Sequence, residues 1–105
     1  MDSFLLEFSM FPSDVGESKS LYVAQVLKVV KESGIAYQLT PMATIVECTS
    51  LRQAFELVEE CYHALEKMGC NRVYSVLKFD IRKNCSNRLE SKIQSIEEKI
   101  GKVSK

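Results

Sequence analysis

Residues 3–11 read SFLLEFSMF, and their side chains alternate between two faces. One face carries only apolar residues: Phe4, Leu6, Phe8 and Met10. The other face is mixed: Leu5, Glu7, Ser9 and Phe11. This alternation predicts a β-strand that buries its apolar face and leaves the mixed face open. Pro12 and Gly16 then interrupt the pattern, so the strand is expected to end near Phe11.

Three further strands and three helices follow from the periodicity of the remaining sequence. Helices are predicted from a cap at Ser18 to about Ser33, and from Leu51 to Met68, with Ser50-Leu51-Arg52-Gln53 forming a capping box. Strands are predicted over residues 35–39, 43–48 and 71–81, and the short break at 40–42 favours an antiparallel hairpin. A last helix, with a narrow apolar stripe, is expected to be capped by Asn87.

The order of these elements is β-α-β-β-α-β followed by one helix. That order predicts an α+β, ferredoxin-like fold, in which two helices cover one face of a four-stranded antiparallel sheet. A length of 105 residues suits a single domain spanning 1–105. The narrow stripe of the C-terminal helix requires a packing partner, which is either its own domain or a neighbouring molecule.

The charge and hydropathy of the chain argue against several classes of partner. Fourteen lysines and arginines balance fourteen acidic residues, whereas nucleic-acid binding usually needs a basic excess. No apolar run approaches the ~20 residues needed to span a bilayer, and no signal-peptide pattern is present. We therefore expect no nucleic-acid or membrane partner and a cytoplasmic location.

Metal and catalytic signatures are weak. The only histidine is His63, and the four cysteines, which we expect to be reduced thiols, lack zinc-ligand spacing. No nucleophile elbow, metalloprotease motif or glycine-rich phosphate loop occurs, so no cofactor is predicted. Glu7 and Glu47 could form a carboxylate pair for acid–base chemistry, but a binding role is favoured over catalysis. We expect no catalytic residues, no metal and no enzyme activity.

The open face of the predicted sheet is expected to carry the functional residues, because the two main helices cover the other face. Alternation assigns ten residues to it: Glu7, Ser9, Gln38, Thr40, Ile45, Glu47, Tyr74, Val76, Lys78 and Asp80. A one-residue slip in the hairpin strands would exchange their two faces. Such a mixed surface is either exposed to water or, as we favour, a sheet-to-sheet contact between copies of the chain, and a ligand pocket can coexist with that contact.

Four segments, at 7–18, 39–47, 69–82 and 92–99, together resemble the small thiamine-binding protein family. They include Glu7-Phe8-Ser9-Met10-Phe11-Pro12 and Leu39-Thr40-Pro41-Met42-Ala43-Thr44-Ile45-Val46-Glu47. The resemblance covers nearly the whole chain. Two positions depart from it, because the family usually has glycine at Ala43 and often at Cys48, and both flank the hairpin that is expected to line a pocket.

The resemblance implies a homodimer or homotetramer, assembled through sheet faces or edges, that binds thiamine or its hydroxymethylpyrimidine part without turnover. A carboxylate, Glu7 or Glu47, could balance the thiazolium cation, and a tyrosine could stack on a ring. The expected ligand-binding residues are Glu7, Ser9, Tyr37, Thr44, Glu47, Tyr74 and Lys78. The alternatives are a structural or regulatory oligomer with another small ligand, and an enzyme of thiamine-related metabolism.

Overall fold

The computed structural model describes residues 2–16 and 18–105. Met1 and Glu17 lie outside the described residues, and Glu17 belongs to the first segment of the family resemblance. The elements in chain order are β1 (Phe4–Pro12), α1 (Ser20–Glu32), β2 (Tyr37–Leu39), β3 (Thr44–Cys48), α2 (Leu51–Lys67), β4 (Val73–Asp80) and α3 (Arg88–Ile100). This order confirms the predicted β-α-β-β-α-β arrangement with an added C-terminal helix.

The four strands form one antiparallel sheet in the order β2-β3-β1-β4. β1 lies at its centre, and it pairs with β3 from Phe4 opposite Cys48 to Phe8 opposite Thr44. On its other side β1 pairs with β4 over a longer stretch, from Leu5 to Pro12. The fold is therefore α+β and ferredoxin-like, as the sequence predicts.

The hydrophobic core lies between the sheet and the helices α1 and α2. Its strand residues come from the apolar face of β1 and from alternate positions of β3, and Phe8 is only 1% exposed. The helices contribute Val26, Val30, Ala54, Leu57, Cys61 and Leu65. Burial of this apolar surface is the main force that holds the helices on the sheet.

The helix starts only partly follow the sequence prediction. At α2 the capping box is confirmed, because Ser50 Oγ accepts a hydrogen bond from the Gln53 backbone N–H at 3.0 Å. Gln53 Oε1 accepts in turn from the Thr49 N–H at 2.8 Å. The cap predicted at Ser18 is wrong: α1 begins at Ser20, and the Lys19 carbonyl accepts the first helical hydrogen bonds.

The C-terminal helix α3 packs on its own chain, against β3 and β1. It therefore covers part of the sheet face that α1 and α2 leave open. Asn87 occupies the N-cap position, as predicted, and its carbonyl accepts the Ser91 N–H at 3.0 Å; its backbone is left-handed, however, with φ 56°, and its side chain makes no capping hydrogen bond. Farther along α3, Ile96 and Ile100 stay exposed. Among the described residues, no helix is long and apolar enough to cross a membrane.

Candidate functional site

The strand register fixes which candidate residues share the open face. Leu5 lies opposite Asp80 and Glu47, and Glu7 lies opposite Lys78 and Ile45. Ser9 lies opposite Val76, and Phe11 opposite Tyr74. Gln38 of β2 is paired with Ile45 on this same face. The alternation of the sequence therefore predicts this face correctly for all three strand pairs.

Part of the open face is free of α3 and combines charge with apolar surface. Lys78 Nζ lies 3.3 Å from Glu7 Oε1; the Lys78 side chain is largely exposed and the Glu7 side chain is partly exposed. The rings of Phe11 and Tyr74 pack at a centroid distance of 5.7 Å, and Val76 beside them is 50% exposed. An exposed ion pair of this kind contributes little to stability. Because the ion pair and the neighbouring Tyr74 and Val76 are accessible to solvent, they can contact another molecule.

Glu47 has a different role, because its carboxylate anchors the start of α3. Its Oε2 accepts hydrogen bonds from the Arg88 N–H at 2.7 Å and from the Ser3 hydroxyl. Its Oε1 accepts from the Leu89 N–H at 3.1 Å. The first N–H groups of a helix have no partner within the helix, and a carboxylate also interacts favourably with that end of the helix dipole. Glu47 thus supplies the side-chain acceptor that the N-cap residue Asn87 does not provide.

The same contacts shift the ionisation of Glu47. Burial would raise the pKa of its carboxyl, but the hydrogen bonds from Ser3, Arg88 and Leu89 and the Arg88 charge together lower that pKa below its ordinary value. A lowered pKa in the folded state means that the anchor stabilises the fold above the unfolded pKa. This stability is lost as pH falls through the folded pKa.

We therefore expect acid to release α3 before it melts the sheet. Asp80 adds to the effect, because hydrogen bonds from Arg88 and Lys92 lower its pKa to about 2. Hydrogen exchange followed from pH 7 down to pH 2 should show α3 amides losing protection before those of β1. Simultaneous loss of both sets would contradict this order.

A second set of contacts holds the first turns of α3. Asp80 Oδ2 lies 2.8 Å from both Arg88 Nη2 and Lys92 Nζ. Arg88 Nη1 also donates to the Asp80 carbonyl at 3.1 Å. The Arg88 side chain is almost fully buried, and its guanidinium group is held in place by hydrogen bonds to Asp80 at the end of β4.

The remaining two predicted ligand residues lie away from the open face. Thr44 pairs with Phe8, faces α1 and α2, and is only 4% exposed. Tyr37 pairs with Val46 at the edge strand β2. It borders a wide groove of about 880 Å³ between β2 and α3, where Ile93 forms part of the opposite wall. The seven predicted residues therefore do not converge on one site.

The more enclosed candidate lies at the tip of the β2–β3 hairpin. Here the end of β1, one side of α1 and residues 40–43 surround a cleft of about 370 Å³, which we call the hairpin-tip cleft. Its walls are mainly apolar and include Met10, Val23, Val26, Leu27 and Leu39. Ser9, Thr40 and Thr44 supply hydroxyl groups.

Local hydrogen bonds shape the hairpin tip. The Thr40 hydroxyl donates to the Ala43 carbonyl at 2.8 Å and accepts from the Ala43 N–H at 3.0 Å. The chain therefore turns away from β1 just before Thr44. Within the described chain, residues 9–12 of β1 pair with β4 alone, which leaves the edge of β1 open toward the cleft. The cleft can thus offer main-chain hydrogen bonds as well as hydroxyls.

Two observations connect the cleft to the sequence. The segments at 7–18 and 39–47, which carry half of the family resemblance, both contribute to its walls. Ser9 and Thr44 are the predicted ligand residues that line it. The α1 residues Val23, Val26 and Leu27 were not predicted, because their apolar spacing is the same as that of ordinary core residues.

The Cys48 thiol lies opposite Phe4, at the other end of β3 from the hairpin-tip cleft. Cys48 is buried, and burial raises the pKa of its thiol to about 11, with a further contribution from the nearby Glu47 charge. A thiol with so high a pKa is almost entirely protonated at neutral pH, and the thiolate is the nucleophilic form. The described residues contain no cluster of three or more His, Cys, Asp or Glu side chains able to hold a metal ion.

Comparison with known proteins identifies the family. The family model described as thiamine-binding protein matches residues 6–97. A UPF0045 protein of Methanothermobacter thermautotrophicus is 34% identical over 83 residues, which cover 79% of this chain and 84% of the relative. The UPF0045 protein YqgV of Bacillus subtilis is 37% identical over 83 residues, covering 75% of this chain and 79% of the relative.

Solved structures agree with the fold. The hypothetical protein MJ1052 of Methanocaldococcus jannaschii superposes with a TM-score of 0.79 at 31% identity, covering 93% of this chain and 99% of that one. A Thermotoga maritima protein provisionally assigned to thiamine biosynthesis or salvage gives a TM-score of 0.77 at 17% identity, covering 90% of this chain and 98% of that one. At that identity the second likeness concerns the fold alone. Together with the family model, the first shows that this chain belongs to the thiamine-binding protein family.

Proposed function

We propose that this protein binds thiamine, or its hydroxymethylpyrimidine part, in the hairpin-tip cleft and releases it unchanged. The observation that carries this proposal is the convergence of the two segments at 7–18 and 39–47 on one partly enclosed, mainly apolar cleft. Membership of the thiamine-binding protein family supports the choice of ligand. The cleft volume of about 370 Å³ falls in the range of ~300–1,000 Å³ common for small-molecule sites.

The chemistry of the cleft suits an aminopyrimidine ring. Val23, Val26 and Leu27 of α1 supply apolar surface on which one face of the ring can pack. The hydroxyls of Ser9 and Thr44 can each donate and accept, as the ring nitrogens and exocyclic amine require. Glu7 lies two residues from Ser9 on the same face of β1. Its carboxylate is therefore close enough along the strand to attract the thiazolium cation.

The protein is also proposed to work as a homodimer or homotetramer through its open sheet face. Tyr74, Val76 and Ile96 leave apolar surface exposed on β4 and α3. The ion pair between Glu7 and Lys78 lies beside this surface and can be matched by a second copy. Burying such a patch against a copy of itself removes apolar area from water, which is the usual source of association energy.

The test is calorimetric titration with thiamine and, separately, with hydroxymethylpyrimidine. We expect saturable binding by the natural sequence and at least about a tenfold loss of affinity in Val23→Trp, because the indole occupies the cleft. Ala24→Trp is the matched control, since residue 24 is the exposed neighbour on the same helix. The ligand should be recovered unchanged after long incubation. Undiminished binding by a folded Val23→Trp protein would place the site elsewhere.

A further inference from the structure

A second pocket of about 540 Å³ lies between the loop that leaves β4 and the first turns of α3. Its lining differs in character from the hairpin-tip cleft, because it consists mainly of cations and hydroxyls. Six of its lining residues carry a cationic or a hydroxyl group: Arg82, Ser86, Arg88, Ser91, Lys92 and Ser95. Ser91 and Ser95 are one helical turn apart, so both hydroxyls lie on the side of α3 that borders the pocket.

Positive charge is concentrated in this part of the chain. Residues 81–105 contain seven lysines and arginines but only three acidic residues, although the whole chain has no net charge. The remainder of the chain is correspondingly acidic. A local basic excess in an otherwise neutral protein favours an anionic partner at that surface.

Contacts around the pocket leave part of this charge unmatched. Arg88 and Lys92 share a single carboxylate, that of Asp80, at 2.8 Å from each. Arg82 forms no ion pair with any residue that the structure describes. Three cations thus border the pocket, Asp80 forms ion pairs with two of them, and the Glu47 carboxylate at the Arg88 N–H offsets part of the Arg88 charge. The buried Arg88 guanidinium is held by Asp80 and is therefore already oriented before any ligand arrives.

We propose that this pocket binds a phosphate group, either as free phosphate or as a phosphate monoester. Guanidinium groups bind phosphate oxygens with paired, charge-assisted hydrogen bonds, and lysine adds a point charge. The hydroxyls of Ser86, Ser91 and Ser95 can donate to the remaining oxygens. A phosphate group balances the positive charge that Asp80 and the nearby Glu47 carboxylate leave unmatched.

This site is separate from the proposed thiamine site. The Ser3 N–H donates to the Cys85 carbonyl at 2.8 Å, which places the pocket beside the start of β1. The hairpin-tip cleft begins at Phe8 and Ser9, near the other end of the same strand. Six residues of extended strand span roughly 20 Å, so one small ligand cannot reach both places in one chain.

Inorganic phosphate and glycerol 3-phosphate are the probes, titrated at constant ionic strength and followed by the amide NMR signals of residues 82–95. We expect saturable shifts and at least about a tenfold weaker binding in Arg82→Gln, because one charged hydrogen-bonding group is lost. Arg82→Lys keeps the charge but loses the planar guanidinium group, so its phosphate affinity should lie between those of the natural sequence and Arg82→Gln. Lys28→Gln, at an exposed position of α1, is the control for net charge and should bind as tightly as the natural sequence.

Each outcome has a defined meaning. Tighter binding of glycerol 3-phosphate supports a phosphate monoester, tighter binding of inorganic phosphate supports the free anion, and equal binding supports recognition of the phosphate group alone. Shifts that do not saturate, or that Arg82→Gln and Lys28→Gln weaken equally, would overturn the site and leave only general charge attraction. Thiamine titration of Arg82→Gln should match the natural sequence, so failure of either proposal is visible without the other.

Discussion

Replacing Glu47 by glutamine is expected to lower the free energy of unfolding by about 2 kcal/mol and to loosen α3. The carboxylate accepts three hydrogen bonds with two oxygens, from Ser3, Arg88 and Leu89. An amide offers one acceptor and no charge, and hydrogen bonds to a charged group contribute about 1.5–3 kcal/mol. Urea denaturation gives the stability, and hydrogen exchange of α3 amides gives the local effect.

Glu7→Gln is the matched control on the same sheet face. Glu7 forms an ion pair with the exposed Lys78, with 3.3 Å between Oε1 and Nζ. Loss of the Glu7 charge should therefore lower the free energy of unfolding by less than about 1 kcal/mol. If Glu47→Gln instead abolished thiamine binding while α3 kept its protection, the carboxylate would be a ligand contact. If it changed neither property, the anchoring role would be wrong.

The fold could be predicted because its evidence is local. The alternation at 3–11 fixes both the strand and the face that it buries, and the later pairing of Phe8 with Thr44 follows the same period. The capping box at Ser50 was visible for the same reason, since both partners lie within four residues. Ser18 also has a side chain suited to capping. The first helical N–H groups, however, donate to the Lys19 carbonyl, so the helix begins after Lys19 and not after Ser18.

The site could be predicted only in part because its contacts are distant in sequence. Glu47 and Arg88 are 41 residues apart, and nothing in the pattern of either segment indicates that one caps the other. Thr44 and Glu47 are separated by three positions on a strand, so they must lie on opposite faces and cannot line one surface. The α1 wall of the hairpin-tip cleft depends on how the helix crosses the sheet, which the sequence does not specify.

Phe8→Ala is expected to have the largest effect of any substitution considered, lowering the free energy of unfolding by about 3–5 kcal/mol. Phe8 is 1% exposed at the centre of β1, and it lies between the core and the hairpin-tip cleft. Removing the ring therefore loses apolar burial and also leaves a void, because close-packed neighbours relax only partially.

The same substitution links stability to the proposed function. The void adjoins the cleft, so thiamine should bind more weakly even where the protein remains folded. Phe11→Ala is a control for stability alone, because Phe11 also lines the cleft. Its ring lies on the opposite face of β1, is only partly buried, and packs on Tyr74 with 5.7 Å between ring centroids. We expect it to cost about 1 kcal/mol, since aromatic pairs contribute about 0.5–1.5 kcal/mol beyond their burial. Equal losses of stability in the two variants would mean that the open face is buried in solution as deeply as the core, as a tightly packed sheet-to-sheet oligomer would require.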